Sequence, residues 1–467
     1  MARVSLVSLC CPKNLVDSEG ALCEIAGAWH EIVTDASRAD VIVVNTCGFI
    51  ESARQESNEA IREALAQKKS GSCRAVVVIG CLPQRLLYRA RFEIAPDQEA
   101  VYVVIGVGHQ GKIADAIDRA LGGERVHDVA CPTEQWIEPG ARVQSTPPWT
   151  AYLKVSDGCS NRCAYCAITD IRGPYRSRPE NLIIDEAKRL ADAGVKEIIL
   201  IGQDLTQYGE DFGRSPTPPG KIPGGGGTKS NLLAGLVGKL NEIEALRWIR
   251  LMYCYPTKVT RELIDAIAGC ERVVKYLDLP LQHGDDAVLK MMNRRGSASD
   301  YIRLIGDMRA KCPKIALRST FIVGFPGETD AAFENLMSFV EEIRFDRVGV
   351  LTYSREQGTT AAKLLMGRVP RKVAAARYDR LMRLQQSISL ERNRSFVGKK
   401  MEVLVEGSAQ TGMFGRSYRD APEIDGLVYL PSSAAEPGSF VEATITEASE
   451  YDLVGTLERR NHEQHGN

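Results

Sequence analysis

The chain has 467 residues, 44% hydrophobic and 25% charged, which is enough for two to four domains with a substantial core in each. Its 59 basic and 60 acidic residues nearly cancel, so the molecule as a whole lacks the charge footprint of a nucleic-acid binder. No apolar run approaches the roughly 18 residues of a membrane span. Met1-Ala2-Arg3-Val4-Ser5-Leu6 leads into a short apolar run without a signal-peptide cleavage pattern, so a cytoplasmic location is expected.

From the N-terminus, residues 3–9, 41–45, 75–79 and 101–105 are apolar runs rich in Val and Ile, separated by helical patterns such as 15–26 and 52–67. This alternation predicts an open parallel α/β sheet over residues 1–130. Thirteen cysteines in a chain without an export signal point to metal or redox use rather than to a disulfide scaffold. Cys11, Cys47 and Cys81 each follow a predicted strand, so parallel strands bring all three to the carboxyl edge of one sheet, where open α/β sheets bind ligands. A metal site is expected there. Cys10 competes with Cys11, which is preferred because the chain leaves the strand at Pro12-Lys13-Asn14. Cys23, Cys73, Cys131, Cys254, Cys270 and Cys312 show no partner spacing and are expected to be core or surface thiols.

Residues 131–150, with five Pro or Gly positions, suggest a linker. A second alternation follows over 151–397, with strands predicted at 151–155, 196–201, 248–253, 276–279, 316–323 and 348–353. Helices are predicted at 179–193, 260–268, 300–311 and 330–343, and six such units suggest an incomplete parallel barrel with its functional residues at the carboxyl ends of the strands. After the first strand comes Cys159-Ser160-Asn161-Arg162-Cys163-Ala164-Tyr165-Cys166, three thiols on one loop that leave one position of a metal centre open. The residues admit zinc with a bound water, or an iron-sulfur cluster with one iron lacking a protein ligand. Gln203 and Asp204 follow the second strand, Gln282 and His283 the fourth, and Gly324-Phe325-Pro326-Gly327 the fifth. His283 is expected to be a hydrogen-bonding loop residue.

Residues 210–229, with four Pro and the run Gly224–Gly227, form an insertion too flexible to fold alone. A helical stretch over 371–396 then gives way to short alternating runs at 401–405, 426–430, 440–446 and 453–457, which predict a small antiparallel β-barrel over 398–458. Residues 459–467 have the composition of a frayed tail.

The Cys-x3-Cys-x2-Cys loop resembles that of the radical S-adenosylmethionine (SAM) enzymes. Together with the other motifs, it makes nearly the whole chain, from Leu9 to Glu458, similar to their methylthiotransferase branch. Segments 11–19, 172–178, 278–283 and 420–426 resemble the members that modify an aspartate of the twelfth small-subunit ribosomal protein; tRNA-modifying members usually carry Gln rather than Pro-Lys after the first thiol. Thr169 in place of a common Pro, Cys10 in place of Gly, and the insertion after Gly209 depart from the pattern.

The resemblance implies an N-terminal cluster domain, a radical SAM barrel and a C-terminal TRAM domain. It implies two [4Fe–4S] clusters, one on Cys11, Cys47 and Cys81 and one on Cys159, Cys163 and Cys166, with SAM near Tyr165, Gln203, Asp204 and Gly324. It also implies a 5′-deoxyadenosyl radical that takes hydrogen from the aspartate β-carbon, to which a methylthio group is then added. Expected partners are the ribosomal protein or the assembled small subunit, an electron donor and a possible sulfur donor, with no membrane and no direct tRNA substrate. A tRNA methylthiotransferase shares all the chemistry but not the substrate; a non-catalytic iron-sulfur carrier or scaffold is the alternative of another class. Over 398–458, four basic residues face eleven acidic ones, a net charge of −7. An acidic barrel suits steering of a basic ribosomal protein better than binding of tRNA, with Glu423 and Asp425 expected among the steering charges and 398–467 expected to be dispensable for SAM cleavage.

Overall fold

A computed structural model describes residues 1–9, 11–71, 73–89, 101, 103–108, 111–130, 136, 138, 140–213, 232–364, 367–410, 412–431 and 435–457. Cys10, Cys131, most of the Gly/Pro insertion and the tail lie outside these residues. The N-terminal sheet has six parallel strands in the order β2-β1-β3-β4-β5-β6: β1 (Arg3–Ser8), β2 (Glu31–Ile32), β3 (Val41–Thr46), β4 (Ala75–Gly80), β5 (Val103–Ile105) and β6 (Val126–Asp128). Its helices are α1 (Pro12–Gly27), α2 (Glu51–Ser70), α3 (Cys81–Arg89) and α4 (Ile113–Leu121).

β3 and β4 are apolar over nearly their whole length because both faces are covered. Val41 and Val43 pack with Ile25, Ile113 and Ile117 on one side, while Ile42 and Val44 pack with Ile61, Ala64 and Leu65 on the other. The two-residue β2 and the half-polar β6 carry too little apolar pattern to be read from sequence. Strand order reverses between β1 and β3, and open sheets of this kind bind ligands outside such a switch point.

The central sheet holds the six expected parallel strands in the order β14-β13-β12-β11-β10-β7. These are β7 (Thr150–Lys154), β10 (Glu197–Ile201), β11 (Trp248–Leu251), β12 (Val273–Asp278), β13 (Ala316–Val323) and β14 (Arg347–Thr352). A two-stranded ribbon of β8 (Ser156–Asp157) and β9 (Arg176–Ser177) stands beside the mouth. The helices are α5 (Ile168–Arg172), α6 (Glu180–Asp192), α7 (Leu232–Asn241), α8 (Arg261–Gly269), α9 (Asp286–Met291), α10 (Ala298–Lys311), α11 (Asp330–Ile343) and α12 (Arg371–Arg394). Alternate strand residues such as Leu153, Leu200, Leu251 and Leu317 form the main core with helix residues such as Ile183, Leu236 and Leu336.

The other side chains of these strands make a different surface. Tyr152, Ile199, Trp248, Met252 and Tyr276 meet Val16 of α1 as well as Leu404 and Ala421 of the C-terminal segment. The sheet is therefore covered on that face by both flanking domains.

The C-terminal segment is a closed five-stranded barrel, β15 (Lys400–Ala409), β16 (Gly412–Ser417), β17 (Val428–Pro431), β18 (Phe440–Ala448) and β19 (Leu453–Leu457), in the order β15-β16-β17-β19-β18. Closure leaves no open edge for another chain to pair with. Its pairings are antiparallel except β17 with β19, which run parallel.

This barrel is fastened to the central sheet by buried charge. Glu197 accepts from Arg250 Nε at 2.9 Å and Arg416 Nη2 at 2.6 Å, and Asp420 pairs with Arg347 at 2.6 Å. Asp425 accepts from the Tyr276 hydroxyl at 2.7 Å and lies 3.5 Å from Arg318. With its side chain 1% exposed, Asp425 is no steering charge, which corrects the sequence expectation, whereas Glu423 is exposed. Removing 398–467 would likewise strip partners from Glu197, Arg318 and Arg347.

Two candidate metal centres on facing sheet edges

Cys11 stands at the N-cap of α1, where its carbonyl accepts from the N–H groups of Asn14 (2.9 Å) and Leu15 (3.0 Å). Pro12 fits the first helical position because no donor is needed there. Cys47 follows β3 and is held by Ser57, whose Oγ accepts from the Cys47 N–H at 3.0 Å and donates to its carbonyl at 2.9 Å. Cys81 opens α3 directly after Gly80, whose φ of 98° makes the turn. A Cβ on Gly48 would lie 2.6 Å from the Cys81 carbonyl oxygen, so the loops carrying Cys47 and Cys81 touch. Asn45 Nδ2 donates to the Asn14 carbonyl (3.1 Å) and to Ser18 Oγ (2.8 Å), tying the Cys11 turn to the end of β3. Burial pushes the Cys81 thiol up to about 12; nearby Arg172 opposes this, while Cys11 and Cys47 lie close enough to add to it.

The second group sits on the loop after β8. Ala164 is clamped between the end of α9 and the turn at Ala361: its N–H donates to the Met292 carbonyl and its carbonyl accepts from the Ala361 N–H, both at 2.8 Å. Arg162 takes a left-handed φ of 52°, and its carbonyl accepts from Asn293 Nδ2 at 2.8 Å. The Cys159 N–H donates to Gly173 (3.2 Å), and that of Cys166 to Cys163 (3.0 Å). Thr169 donates through Oγ1 to the Cys159 carbonyl at 2.8 Å, so the residue that departs from the family's Pro ties the loop together. Burial pushes Cys159 up to about 12 and raises Cys166, with Cys163 and Cys159 adding to the latter. Arg294 Nη1 donates to Cys163 Sγ at 3.8 Å.

The two groups face one another. Cys81 packs against Ala167 and Ile171, which directly follow the second group. Between them lies a buried charge network that sequence reasoning missed. Arg172 reaches Asp17 at 2.9 Å and Asp157 at 3.1 Å, while Lys154 reaches the same two at 2.7 and 3.1 Å. Burial works to raise Asp157, but Arg172, Lys154 and Arg176 outweigh it and hold this carboxyl well below the usual range. The one sequence signal was Lys154, a charge inside an apolar strand. Glu356, after β14, accepts from Arg54 at 2.5 Å and Arg85 at 2.9 Å and closes the other side of the junction. Lys13 lies over the ring of Tyr253, 3.0 Å from its centre, and burial pulls its ammonium down to about 8.

The side chains expected around SAM divide. Tyr165 packs with Val288, Met292, Ile322 and Phe325, and burial, followed by the neighbouring Cys163, raises its phenol. Gln203 donates to Asp157 at 2.9 Å and keeps a buried Oε1 without a partner. Asp204 is saturated: its carboxylate accepts from Thr206 N–H (3.0 Å) and Oγ1 (2.5 Å), Asn161 Nδ2 (2.7 Å) and Gln207 Nε2 (2.7 Å). It holds Asn161 of the thiol loop. Gly324 has φ 77°, gives its N–H to Glu328, and would place a Cβ 2.6 Å from that of Ala374. The absence of a side chain here lets the turn pack closely on α12. His283 Nδ1 accepts from the Asp285 N–H at 3.0 Å, the loop role expected of it, and burial lowers it to about 4.

The donor sets suit multi-iron clusters. Buried thiolates need positive charge beside them, and Arg172 lies near Cys81 and Arg294 near Cys163. Among the described residues no three Cys, His, Asp or Glu converge closely enough to hold one metal ion, as a tetrahedral zinc site with bonds of about 2.3 Å to sulfur would need.

Residues 153–340 match the Radical SAM superfamily, 397–457 the TRAM domain, and 3–106 the uncharacterized protein family UPF0004. The chain is 44% identical to the ribosomal protein uS12 methylthiotransferase RimO of Geotalea uraniireducens, covering 97% of this chain and 98% of that one. It is 45% identical to the protein of the same name from Pelotomaculum thermopropionicum, again over 97% and 98%. A radical S-adenosylmethionine methyltransferase, TsrM, from Kitasatospora setae, solved with cobalamin and a [4Fe-4S] cluster bound, superposes with a TM-score of 0.54 over 75% of this chain and 74% of that one. At 14% identity, that likeness concerns the fold alone. At such identity and coverage to its relatives, the chain belongs to the radical SAM methylthiotransferase family of ribosomal protein uS12 methylthiotransferases.

Proposed function

We propose that this chain transfers a methylthio group to the β-carbon of an aspartate in ribosomal protein uS12, using SAM and two [4Fe–4S] clusters. The observation that carries the reading is the pair of three-thiol groups on facing carboxyl edges, joined through Arg172. In this reading Cys11, Cys47 and Cys81 hold one cluster and Cys159, Cys163 and Cys166 the other. When bound, the clusters supply the low-potential electron that cleaves SAM and a carrier for the incoming sulfur.

The chain's own residues hold and orient. Asp17, Lys154, Asp157 and Arg172 lock the N-terminal sheet onto the thiol loop, so the distance between the two sites is set by buried ion pairs rather than by a flexible link. Asn161, Thr169 and the clamped Ala164 fix the loop, and the unpartnered Oε1 of Gln203 is an acceptor free for the amino group of SAM. Tyr165, with the apolar wall around it, keeps water from the reacting atoms. Residues 1–130, 151–397 and 398–458 divide the work between sulfur carriage, SAM chemistry and substrate contact, with 131–150 between the first two. An electron donor and a sulfur donor complete the partners, and the location is the cytoplasm; among the described residues no helix is long and apolar enough to cross a membrane.

The test is mass spectrometry of uS12 and of total tRNA from cells with and without the protein. The expected result is a methylthio group on one uS12 aspartate that disappears with the protein. Loss of a methylthio group from tRNA, with uS12 unchanged, would overturn the reading in favour of the tRNA-modifying branch.

A further inference from the structure

At the end of the central sheet away from the thiol loops, a cleft of about 670 Å³ opens between the sheet and the C-terminal barrel. Its walls come from the turns just ahead of β13 and β14, the C-terminal end of α12 and the start of β15. Six cations line it: Lys314, Arg344, Arg392, Lys399, Lys400 and Arg419. Three carboxylates share the cleft, and each is already engaged. Asp346 holds Arg392 at 2.8 Å and Arg419 at 3.1 Å, Glu391 holds Arg344, and Glu402 holds Arg247 from outside the cleft. Lys400 reaches Glu442, on the barrel surface, at 3.3 Å. Lys314 and Lys399 are exposed and, among the described residues, have no ion pair.

Bulk charge conceals this feature. The segment 398–458 carries a net charge of −7, yet three of its four cations, Lys399, Lys400 and Arg419, stand in this one cleft. Cations in the last turn of a helix answer its dipole, which accounts for Arg392. Lys314, Lys399 and Lys400 lie on no helix. Nor do the thiol groups balance these charges. The thiol loops follow the carboxyl ends of strands, whereas Ile315 and Asp346 directly precede β13 and β14. The eight residues of β13 put roughly 26 Å between the two ends, against a screening length of about 8 Å. Half-buried Phe396 and Tyr418 add two aromatic rings to the lining.

We propose that this cleft grips the phosphate backbone of small-subunit RNA, so that the enzyme meets uS12 within the assembled subunit rather than as a free protein. The inference rests on the uS12 reading above and adds a second contact to it. A basic ribosomal protein is repelled by a cleft with six cations and three carboxylates, so the occupant is a polyanion. RNA is the polyanion that accompanies uS12 in the subunit. Exposed lysines act as point charges on phosphates and make no demand on base sequence, while aromatic rings accept any base or sugar face. A grip some 26 Å of strand away from the thiol loops also suits a partner much larger than the segment that carries the target aspartate.

The experiment measures binding rather than turnover. Full-length enzyme carrying its clusters, without reductant, is titrated at several salt concentrations with purified small subunits, with the RNA extracted from them, with total tRNA and with a uS12 peptide. The wild type should bind the subunits and their RNA. The double variant Lys314→Glu, Lys399→Glu should weaken both at least about tenfold and lower the slope of log affinity against log salt by about 1.4, at roughly 0.7 per phosphate contact. Its affinity for the uS12 peptide should not change. A control pair, Lys188→Glu with Lys372→Glu, makes the same charge change at exposed positions outside the cleft and should alter RNA binding less than about twofold. The proposal is overturned if the wild type does not bind the RNA, if cleft and control variants weaken it alike, or if ATP displaces it at equal phosphate concentration. Should the charge reversals lower the melting temperature, Lys314→Gln and Lys399→Gln decide, and an unchanged affinity for the subunit would overturn the idea. Tighter binding of tRNA than of subunit RNA would overturn it too: with uS12 unmodified in cells that result removes the underlying reading as well, and with uS12 modified it removes this proposal alone.

Discussion

Replacing Arg416 by Met tests whether buried charge fastens the C-terminal barrel to the catalytic sheet. Arg416 is 1% exposed and makes three contacts: Glu197 at 2.6 Å, Glu406 at 2.7 Å and the Asp420 carbonyl at 2.9 Å. Glu406, 19% exposed, can turn to water, but Glu197, at 0%, cannot. Breaking a buried pair by removing one partner costs roughly 3–5 kcal/mol. Arg250 still holds Glu197 at 2.9 Å, so the lower end applies. A loss of about 3 kcal/mol corresponds to a roughly hundredfold shift in the unfolding equilibrium.

Tryptophan fluorescence during urea unfolding is a suitable assay, because Trp248 stacks edge-on with Phe440 across this junction at 4.8 Å and Trp149 packs against Gly438. A double-mutant cycle with Glu197→Gln should give a coupling above about 1.5 kcal/mol. If R416M unfolded at the wild-type urea concentration, or if the two substitutions were additive within about 0.5 kcal/mol, the junction would owe little to this pair.

Three more outcomes follow from the same geometry. Changing Cys159, Cys163 and Cys166 together to Ala should leave a cluster's worth of iron on Cys11, Cys47 and Cys81; iron analysis after reconstitution checks this, and complete loss would mean that the sites are not independent. Glu423→Lys should slow association with uS12 at low salt and leave stability alone, whereas Asp425→Lys should destabilise the fold, since it inserts a cation beside Arg318 and the Tyr276 hydroxyl; stopped-flow association and thermal melting separate the two. The junction should also be acid-labile. Burial works to raise Glu197, Asp346 and Asp420, but Arg416, Arg392 and Arg347 respectively lead the cations that outweigh it and hold all three below their ordinary values. Their contribution is therefore fully present above the unfolded values of about 4 and is lost as pH falls through the lower folded ones. Asp425, raised by burial, works in the opposite sense, so the urea midpoint should be flat near neutrality and fall below about pH 4, less steeply in R416M.

Much of this architecture could be read from the chain because the relevant signals are local and repetitive. Val-rich runs announce β3 and β4, and a cysteine just beyond a strand announces its own place on the carboxyl edge. Other features left no such mark. β16 carries Gly412, Gly415 and the buried Arg416, so it lacks the apolar alternation that reveals a strand. Asp425 was counted as a surface charge because its partners Arg318 and Tyr276 lie more than a hundred residues away in sequence. Asp204 and Gly324 follow strands β10 and β13 as expected, but only the folded structure shows that Asn161, Thr206 and Gln207 bond to the first and that Ala374 packs on the second. Periodicity tells which face is covered, not by what.

The face of the central sheet that the C-terminal barrel covers has a bearing on how the chain is born. β14 ends at Thr352 and β19 at Leu457, so during synthesis, at about 5–20 residues per second, the finished sheet waits several seconds or longer for its cover. An exposed apolar sheet would invite aggregation during that interval. Glu197, Arg250, Arg318 and Arg347 interrupt this one with charges that remain hydrated until Arg416, Asp420 and Asp425 arrive to neutralise them. Those ion pairs thus also act as a solubility device for a nascent chain, with the later-made barrel sealing the catalytic sheet.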